Sequence, residues 1–293
     1  MNKEQNEDKV IRAITNDGAF RVITAITTDT VRGAITAQGA RGTVAKRFGE
    51  LVTGAILIRE AMSPTLRVQG ILKGAGGKGS MVADSHPDGT NRGLVGFAGE
   101  TGLGAGKGGQ TGILQMMRTL PNGALHQGMV EVAFEGQENA ISAALMEYMQ
   151  HSEQIVSTIA VTTLMGADDR IIAAAGYIVE LLPEVERGPL MIMTQRLEDF
   201  PSLDDMLKGG ELSSDSLLAE LLHGMPFTKV GESPLSYGCN CSELRVLSSL
   251  ATLPRSDLED LLSDGKVLEI SCDYCRKDYR ISPTQLRSLL TTS

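Results

Sequence analysis

Four cysteines confined to one end of the chain restrict what that end can fold into. They read Cys239-x-Cys241, then thirty intervening residues, then Cys272-x-x-Cys275, and the 238 residues before them contain no cysteine. Thiols that merely fill a core have no reason to arrive as two close pairs. Two chelating pairs in one small segment match a closed, tetrahedral four-thiolate site. A single structural Zn2+ bound by Cys239, Cys241, Cys272 and Cys275 is therefore expected. The stretch SCDYC leaves one run, KVLEISC, and enters another, RKDYRI, as a metal knuckle does between two strands.

A redox dithiol would place its Cys-x-x-Cys at a helix N-terminus, where the thiol pKa falls. A strand follows here instead, which counts against a thiol oxidoreductase. Ordinary zinc ribbons carry two Cys-x-x-Cys knuckles, whereas the first pair here has the tighter Cys-x-Cys bite. Metal-held thiolates are the form that oxidants attack, and metal-binding free energy in so small a unit is folding free energy. The site is thus compatible with an oxidant-operated unfolding switch. A static structural zinc site satisfies the same spacing.

The beginning, MNKEQNEDKVIRAITNDG, has no apolar signal-peptide region, and apolar runs such as LVTGAILI (51–58) are too short to cross a bilayer. A cytoplasmic protein without membrane contact is expected, and with it no permanent disulfide staple. The net charge of −9 argues against general nucleic-acid binding, which rests on neutralising phosphates. The charge is unevenly spread. Residues 184–232 carry ten acids against four Lys/Arg, a net of −6, while 1–183 and 233–293 carry net charges of −2 and −1.

The first part mixes strand and helix patterns. FRVITAITT (20–28) alternates as a half-buried strand does, and GTVAKRFGELVTGAILIREAM (42–62) has helical spacing. LRVQGIL, SMVAD and RGLVGFA follow as short strands. GILQMMRTL and HQGMVEVAF form a hairpin across PNG, and ENAISAALMEYMQHSEQ (138–154) is an amphipathic helix. STIAVTTLM pairs with RIIAAAGYIVELLP across GADD, ending at Pro183. Residues 1–183 therefore predict an α+β domain built on antiparallel sheet.

Beyond Pro183 the pattern changes to short acidic helices broken by Gly and Pro: RLEDF, SLDDMLKGG and SSDSLLAELLHGMP. Helices this short need tertiary support, so 184–232 reads as a solvated or conditionally folded linker. Residues 233–293 form the small zinc unit. There LPRSDLEDLLSDG (253–265) is a helix with Ser256 at its N-cap and Gly265 as its stop, and SPTQLRSLL starts with Ser282 at N-cap and Pro283 at N1.

Two glycine stretches resemble nucleotide loops. GAGGKG (74–79) fits G-x-G-x-x-G, but a strand follows it where a dinucleotide site needs a helix. GLGAGKGGQTG (102–112) has Gly108 after Lys107 where a P-loop needs Ser or Thr. Both read as loop glycines. His86, His126, His151 and His223 are far apart in sequence and match no metalloprotease spacing, so no catalytic residue is assigned and no enzyme is expected.

The cysteine order and spacing, within YGCNCSELR and LEISCDYCRKDYRIS, resemble the C-terminal zinc module of the heat-shock protein 33 family of redox-regulated holdase chaperones. The resemblance extends upstream. LRVQGILKGAGGKGSMVADSHPDGTNRGLV (66–95) is similar to that family's hairpin with its Arg-Gly turn, and YMQHSEQ (148–154) to its Tyr…Ser-Glu-Gln segment. AAAGYIVELLP (173–183) is similar to its A-G-G…Q-x-x-P strand, with Ala175 where Gly is usual and Glu180 where Gln is usual.

The resemblance implies an N-terminal α+β chaperone core (1–183), a metastable helical linker (184–232) and a C-terminal four-cysteine zinc-binding redox switch (233–293). It further implies that oxidative stress releases the zinc and forms the disulfides Cys239–Cys241 and Cys272–Cys275. The linker then loosens, and the protein dimerises and binds unfolding client proteins without ATP. A zinc-ribbon nucleic-acid module is the alternative from another class, which the near-neutral zinc unit and acidic linker disfavour. A thiol oxidoreductase stands third.

Overall fold

A computed structural model describes residues 7–292 except 63, 75–78, 97–110, 135–136, 184 and 211. Two strands, β1 (Lys9–Thr15) and β2 (Phe20–Ile26), lead into helices α1 (Thr28–Gln38) and α2 (Gly42–Met62). Five strands follow: β3 (Val68–Gly74), β4 (Ser80–Ser85), β5 (Thr90–Gly96), β6 (Thr111–Thr119) and β7 (Leu125–Ala133). Helix α3 (Ala140–Ser152) and the hairpin β8 (Ser157–Met165) and β9 (Ile171–Leu181) come next. Three helices then follow, α4 (Arg187–Glu198), α5 (Leu203–Lys208) and α6 (Ser214–Leu221), before strands β10 (Phe227–Pro234) and β11 (Ser236–Tyr237). The chain ends with α7 (Glu243–Leu250), α8 (Arg255–Ser263), β12 (Leu268–Ser271), β13 (Asp278–Ile281) and α9 (Pro283–Thr292).

The chain divides into two units, Met1–Tyr237 and Gly238–Ser293. In the first, β10-β1-β2-β9-β8 form a five-stranded antiparallel sheet, and β11-β5-β4-β3-β6-β7 a six-stranded one. Within the latter, β11 alone runs parallel to its neighbour, among the described strands. The α+β expectation is met. Helix α2 is apolar on nearly every side because it packs against both sheets, burying Phe48, Leu51, Ile56, Leu57 and Ile58. The ring of Phe48 lies where a Cβ on Gly93 would fall, 2.5 Å away, so the Arg-Gly step in β5 requires glycine.

Strand alternation gives the five-stranded sheet two apolar faces. Ile23, Ala25, Ala174 and Ile178 face the core around α2. Ile11, Ala13, Phe20, Val22, Tyr177 and Val179 face the other way, and there they meet Met193, Leu203, Leu217, Leu218, Leu221 and Leu222. The helices after Pro183 thus cover a sheet face that would otherwise be open. Ser214 pins α6 in place. Its Oγ donates to Lys9 O (2.7 Å) and accepts from Ile26 N (3.1 Å), and its carbonyl accepts from Thr24 Oγ1 (2.8 Å). On α5, Asp204 accepts from Thr162 Oγ1 at 2.6 Å.

The structure corrects several expectations. Residues 184–232 are not helical throughout, since 227–234 pair with β1 as an edge strand. Its Gly231 and Pro234 are tolerated because an edge strand needs only one set of ladder bonds. Helix α4 is longer than RLEDF suggests. Ser256 is not a cap: Pro254 takes the N-cap position of α8, and its carbonyl receives the amides of Asp257 and Leu258. Gly265 does follow that helix, at φ +60°. Ser282 caps α9 as expected, accepting from Gln285 N at 3.3 Å while Gln285 Oε1 accepts from Ser282 N at 2.9 Å.

The stretch 102–112 lies almost wholly, and 74–79 largely, outside the described residues. Where the latter re-emerges it enters β4, a strand. No helix among the described residues is long and apolar enough to cross a membrane.

Candidate metal centre

The second unit brings the two cysteine pairs together from opposite ends of its sequence. Strands β12 and β13 pair antiparallel, Leu268 opposite Ile281 and Ser271 opposite Asp278. Between them the chain turns through Cys272–Lys277. Cys272 N donates to Lys277 O (2.9 Å), Arg276 N donates to Cys272 O (2.8 Å), and Arg276 adopts a left-handed φ of +60°. This is the knuckle read from SCDYC. The Cys239-Asn240-Cys241 turn sits before α7, whose N-cap Ser242 accepts from Arg245 N at 3.2 Å. Arg245 Nη1 also donates to Asn240 O at 3.2 Å, bracing the turn.

All four sulfurs lie within 4.8 Å of one another and are half-buried. Two contacts run across the pairs, Cys239 Sγ to Cys272 Sγ at 3.8 Å and Cys241 Sγ to Cys275 Sγ at 3.4 Å. Burial pushes the Cys275 thiol up, and the neighbouring sulfurs of Cys241, Cys272 and Cys239 push it further. Burial also raises Cys272, against the lowering effect of amide donors Cys275 and Tyr274. Four crowded sulfurs cannot all be anions without a counter-charge, which a divalent cation held by Cys239, Cys241, Cys272 and Cys275 would supply. The residues can hold a metal ion, and the donor set is that of a tetrahedral thiolate site.

One contributor carried no role in the sequence reading. Tyr279 points inward on β13, opposite Ile270, and its hydroxyl donates to Cys241 Sγ at 3.0 Å. That bond pushes the phenol above its ordinary range, so the hydroxyl keeps its proton. The signal was the alternation DYRI, which sends Tyr279 and Ile281 to one face and Asp278 and Arg280 to the other. Around the sulfurs the apolar core is small: Leu250, Leu258, Ile281 and Leu286, with partly buried neighbours such as Leu247 and Leu262.

The histidines are not gathered into a site. His86 Nε2 lies 3.1 Å from Asp84, which Arg67 and Arg92 also engage, and His126 Nε2 lies 3.4 Å from Glu153. Glu153 takes both guanidinium nitrogens of Arg118 (2.9 and 2.8 Å) and the Tyr148 hydroxyl, which gives the Tyr…Ser-Glu-Gln segment a structural task. Glu180 pairs with Arg21 and Ala175 is buried against Ile26 and Leu207, so both departures sit in the buried part of β9. On the linker, Leu217, Leu218 and Leu221 are buried, whereas Met191 and Ile192 are 72% and 55% exposed, because α4 turns Met193 inward.

A mixed α+β unit followed by a small four-thiol unit defines a two-part protein of one recognisable class. The family described as Hsp33 protein matches residues 8–282, and the chain belongs to that family. Relatives include proteins named 33 kDa chaperonin. The one from Syntrophotalea carbinolica is 29% identical over 291 residues, covering 97% of this chain and 99% of that protein. The one from Listeria monocytogenes is 28% identical over 297 residues, covering 96% and 98%. The crystal structure of the 33 kDa chaperonin (heat shock protein 33 homolog) from Thermotoga maritima has the same fold, with a TM-score of 0.79 at 22% identity and 98% of each chain covered.

Proposed function

We propose that the protein is a cytoplasmic, ATP-independent holdase chaperone, silent while reduced and zinc-bound, that binds unfolding client proteins once oxidised. One observation carries this reading. Residues 187–222 close over an apolar sheet face, and the chain then runs through β10 and β11 directly into the four-thiol unit. The relatives' name, chaperonin, denotes a non-enzymatic class and supports it.

A bound Zn2+ keeps Cys239, Cys241, Cys272 and Cys275 as thiolates and joins the two turns that carry them. Oxidation converts each close pair into a disulfide, Cys239–Cys241 and Cys272–Cys275. The pairing rests on the tethers. One- and two-residue spacers keep these partners neighbours as the unit loosens, whereas the cross-pair contacts exist only while it is folded. A unit whose apolar core is so small then lacks the support to stay folded.

Loosening reaches the linker along the chain. Leu235 N donates to Asp8 O (3.0 Å) and Ser236 N to Gly89 O (3.1 Å). Tyr237 lies so close to Gly33 that a Cβ there would sit 2.6 Å from it. This strap ends at Tyr237, with Gly238 alone between it and Cys239. Peeling it and then β10 would free α4–α6 and open the face formed by Ile11, Phe20, Val22, Tyr177 and Val179. Exposed apolar surface of that extent captures unfolding chains, and a second copy of this chain when the protein is oxidised. Nucleic acid is not an expected partner for a chain of net charge −9.

The test is zinc content and suppression of client aggregation, each measured reduced and after peroxide treatment. One zinc per reduced chain with little suppression, and no zinc with strong suppression after oxidation, is the expected pair of results. Equal suppression in both states would refute redox control.

A further inference from the structure

Tyr279 contributes no metal ligand, yet its hydroxyl is aimed at a ligand sulfur. Tyr279 is 6% exposed and lies across the strand pair from Ile270, and the Lys277 ammonium lies 5.3 Å from its ring centroid. The hydroxyl spends its proton on Cys241 Sγ at 3.0 Å. Packing alone does not call for this, since a phenyl ring would fill the same space. A neutral O–H facing a thiolate is a charge-assisted hydrogen bond, among the stronger kinds.

We propose that Tyr279 sets the oxidant threshold of the cluster by shielding the Cys241 sulfur from peroxides. This deepens the zinc-thiolate reading above and rests on it. In the attack, a sulfur lone pair bonds to one peroxide oxygen, the O–O bond breaks and hydroxide leaves. The sulfur is oxidised by two electrons to a sulfenic acid and the peroxide is reduced. A second thiolate then attacks that sulfur, the S–S bond forms and a second hydroxide departs. The first step consumes the lone-pair density that the Tyr279 O–H holds, so the hydrogen bond weakens on the way to the transition state and slows the step. Cys241 is thereby withheld as a first target, and oxidation has to begin at another of the four sulfurs.

The variant is Tyr279→Phe, which keeps the ring and deletes the hydroxyl. Zinc release from the reduced full-length protein is followed with a chromogenic zinc indicator under two challenges, hydrogen peroxide and a competing chelator. Loss of part of a charge-assisted hydrogen bond predicts peroxide-driven release about tenfold faster in the variant, with chelator-driven release changed by less than about twofold. Trapping of sulfenic acid with dimedone, mapped by mass spectrometry, should show label on Cys241 in the variant and little there in the wild type.

Peroxide-driven release at the wild-type rate would overturn the proposal. So would equal acceleration under both challenges, which marks a merely loosened unit. A wild-type protein that carries no zinc, or keeps it under peroxide, would overturn the zinc-thiolate reading and this inference with it.

Discussion

The two units stand on different physical footings. Met1–Tyr237 buries dozens of apolar side chains in two layers, one around α2 between the sheets and one beneath α4–α6. Gly238–Ser293 buries Leu250, Leu258, Tyr279, Ile281 and Leu286 and little else among the described residues. Hydrophobic burial at about 25 cal/mol per Å2 is ample for the first and thin for the second. The difference teaches where control can reside. A region held by burial changes little with redox conditions, whereas a region that four sulfur–metal bonds would hold depends on them. The linker belongs to the first kind by its contacts and is joined to the second by the chain.

The largest break in this comparison should come from Cys272→Ser. Metal binding in small zinc units supplies roughly 10 kcal/mol or more of folding free energy, so one lost ligand should abolish zinc retention and amide protection over 238–293. The sheets of the first unit should keep theirs. Metal analysis with hydrogen exchange reads both, and full zinc retention would mean that the four-cysteine assignment is wrong.

Next in size is Leu218→Asp. Leu218, on α6 of the linker, is fully buried against the sheet, and a carboxylate there has no partner, a cost of about 4 kcal/mol or more. The helices over 187–222 should lose protection while zinc stays bound, and aggregation suppression should appear without oxidant. Wild-type protection in this variant would show that burial of Leu218 does not hold the linker down.

The smallest effect sharpens the comparison by sign. Burial pushes the Glu50 carboxyl from 4.5 to about 8, offset in part by Lys46 and Arg47 and reinforced by Asp204 on α5. Between those values the unfolded chain has released this proton and the folded unit still holds it. Stability is therefore complete below about 4.5 and falls as pH rises toward 8. Glu50→Gln should flatten that decline, read as the first unit's melting temperature followed from pH 5 to 8. The four-thiol unit should respond oppositely, weakening in acid as protons compete with metal for sulfur. A decline unchanged in Glu50→Gln would clear this carboxyl.

Much of this architecture was legible where one physical signal dominated. Helix α2 was readable because its apolar residues keep helical spacing for five turns, and β8–β9 because alternation brackets a polar turn. The four sulfurs were readable because chelation leaves a spacing that packing does not. Strand β10 was missed because an edge strand can be exposed, polar and interrupted by Gly231 and Pro234, which locally imitates a linker. The N-cap of α8 hinges on backbone bonds to the Pro254 carbonyl that pattern cannot rank. Tyr279 and the Arg21–Glu180 pair were invisible for another reason: their partners are 38 and 159 residues away. The outward turn of Met191 and Ile192 was not legible either, because composition says which residues are apolar and only packing decides which way a helix face turns.

The central claim is that the sulfur cluster governs whether 187–222 stays on the sheet. Hydrogen exchange by mass spectrometry, run on the reduced zinc-loaded protein and again after peroxide oxidation, addresses it directly. The account predicts that amides over 187–222 and 238–292 exchange far faster after oxidation while β2 and β9 remain protected. Unchanged protection over 187–222, together with a rise in client binding, would contradict it.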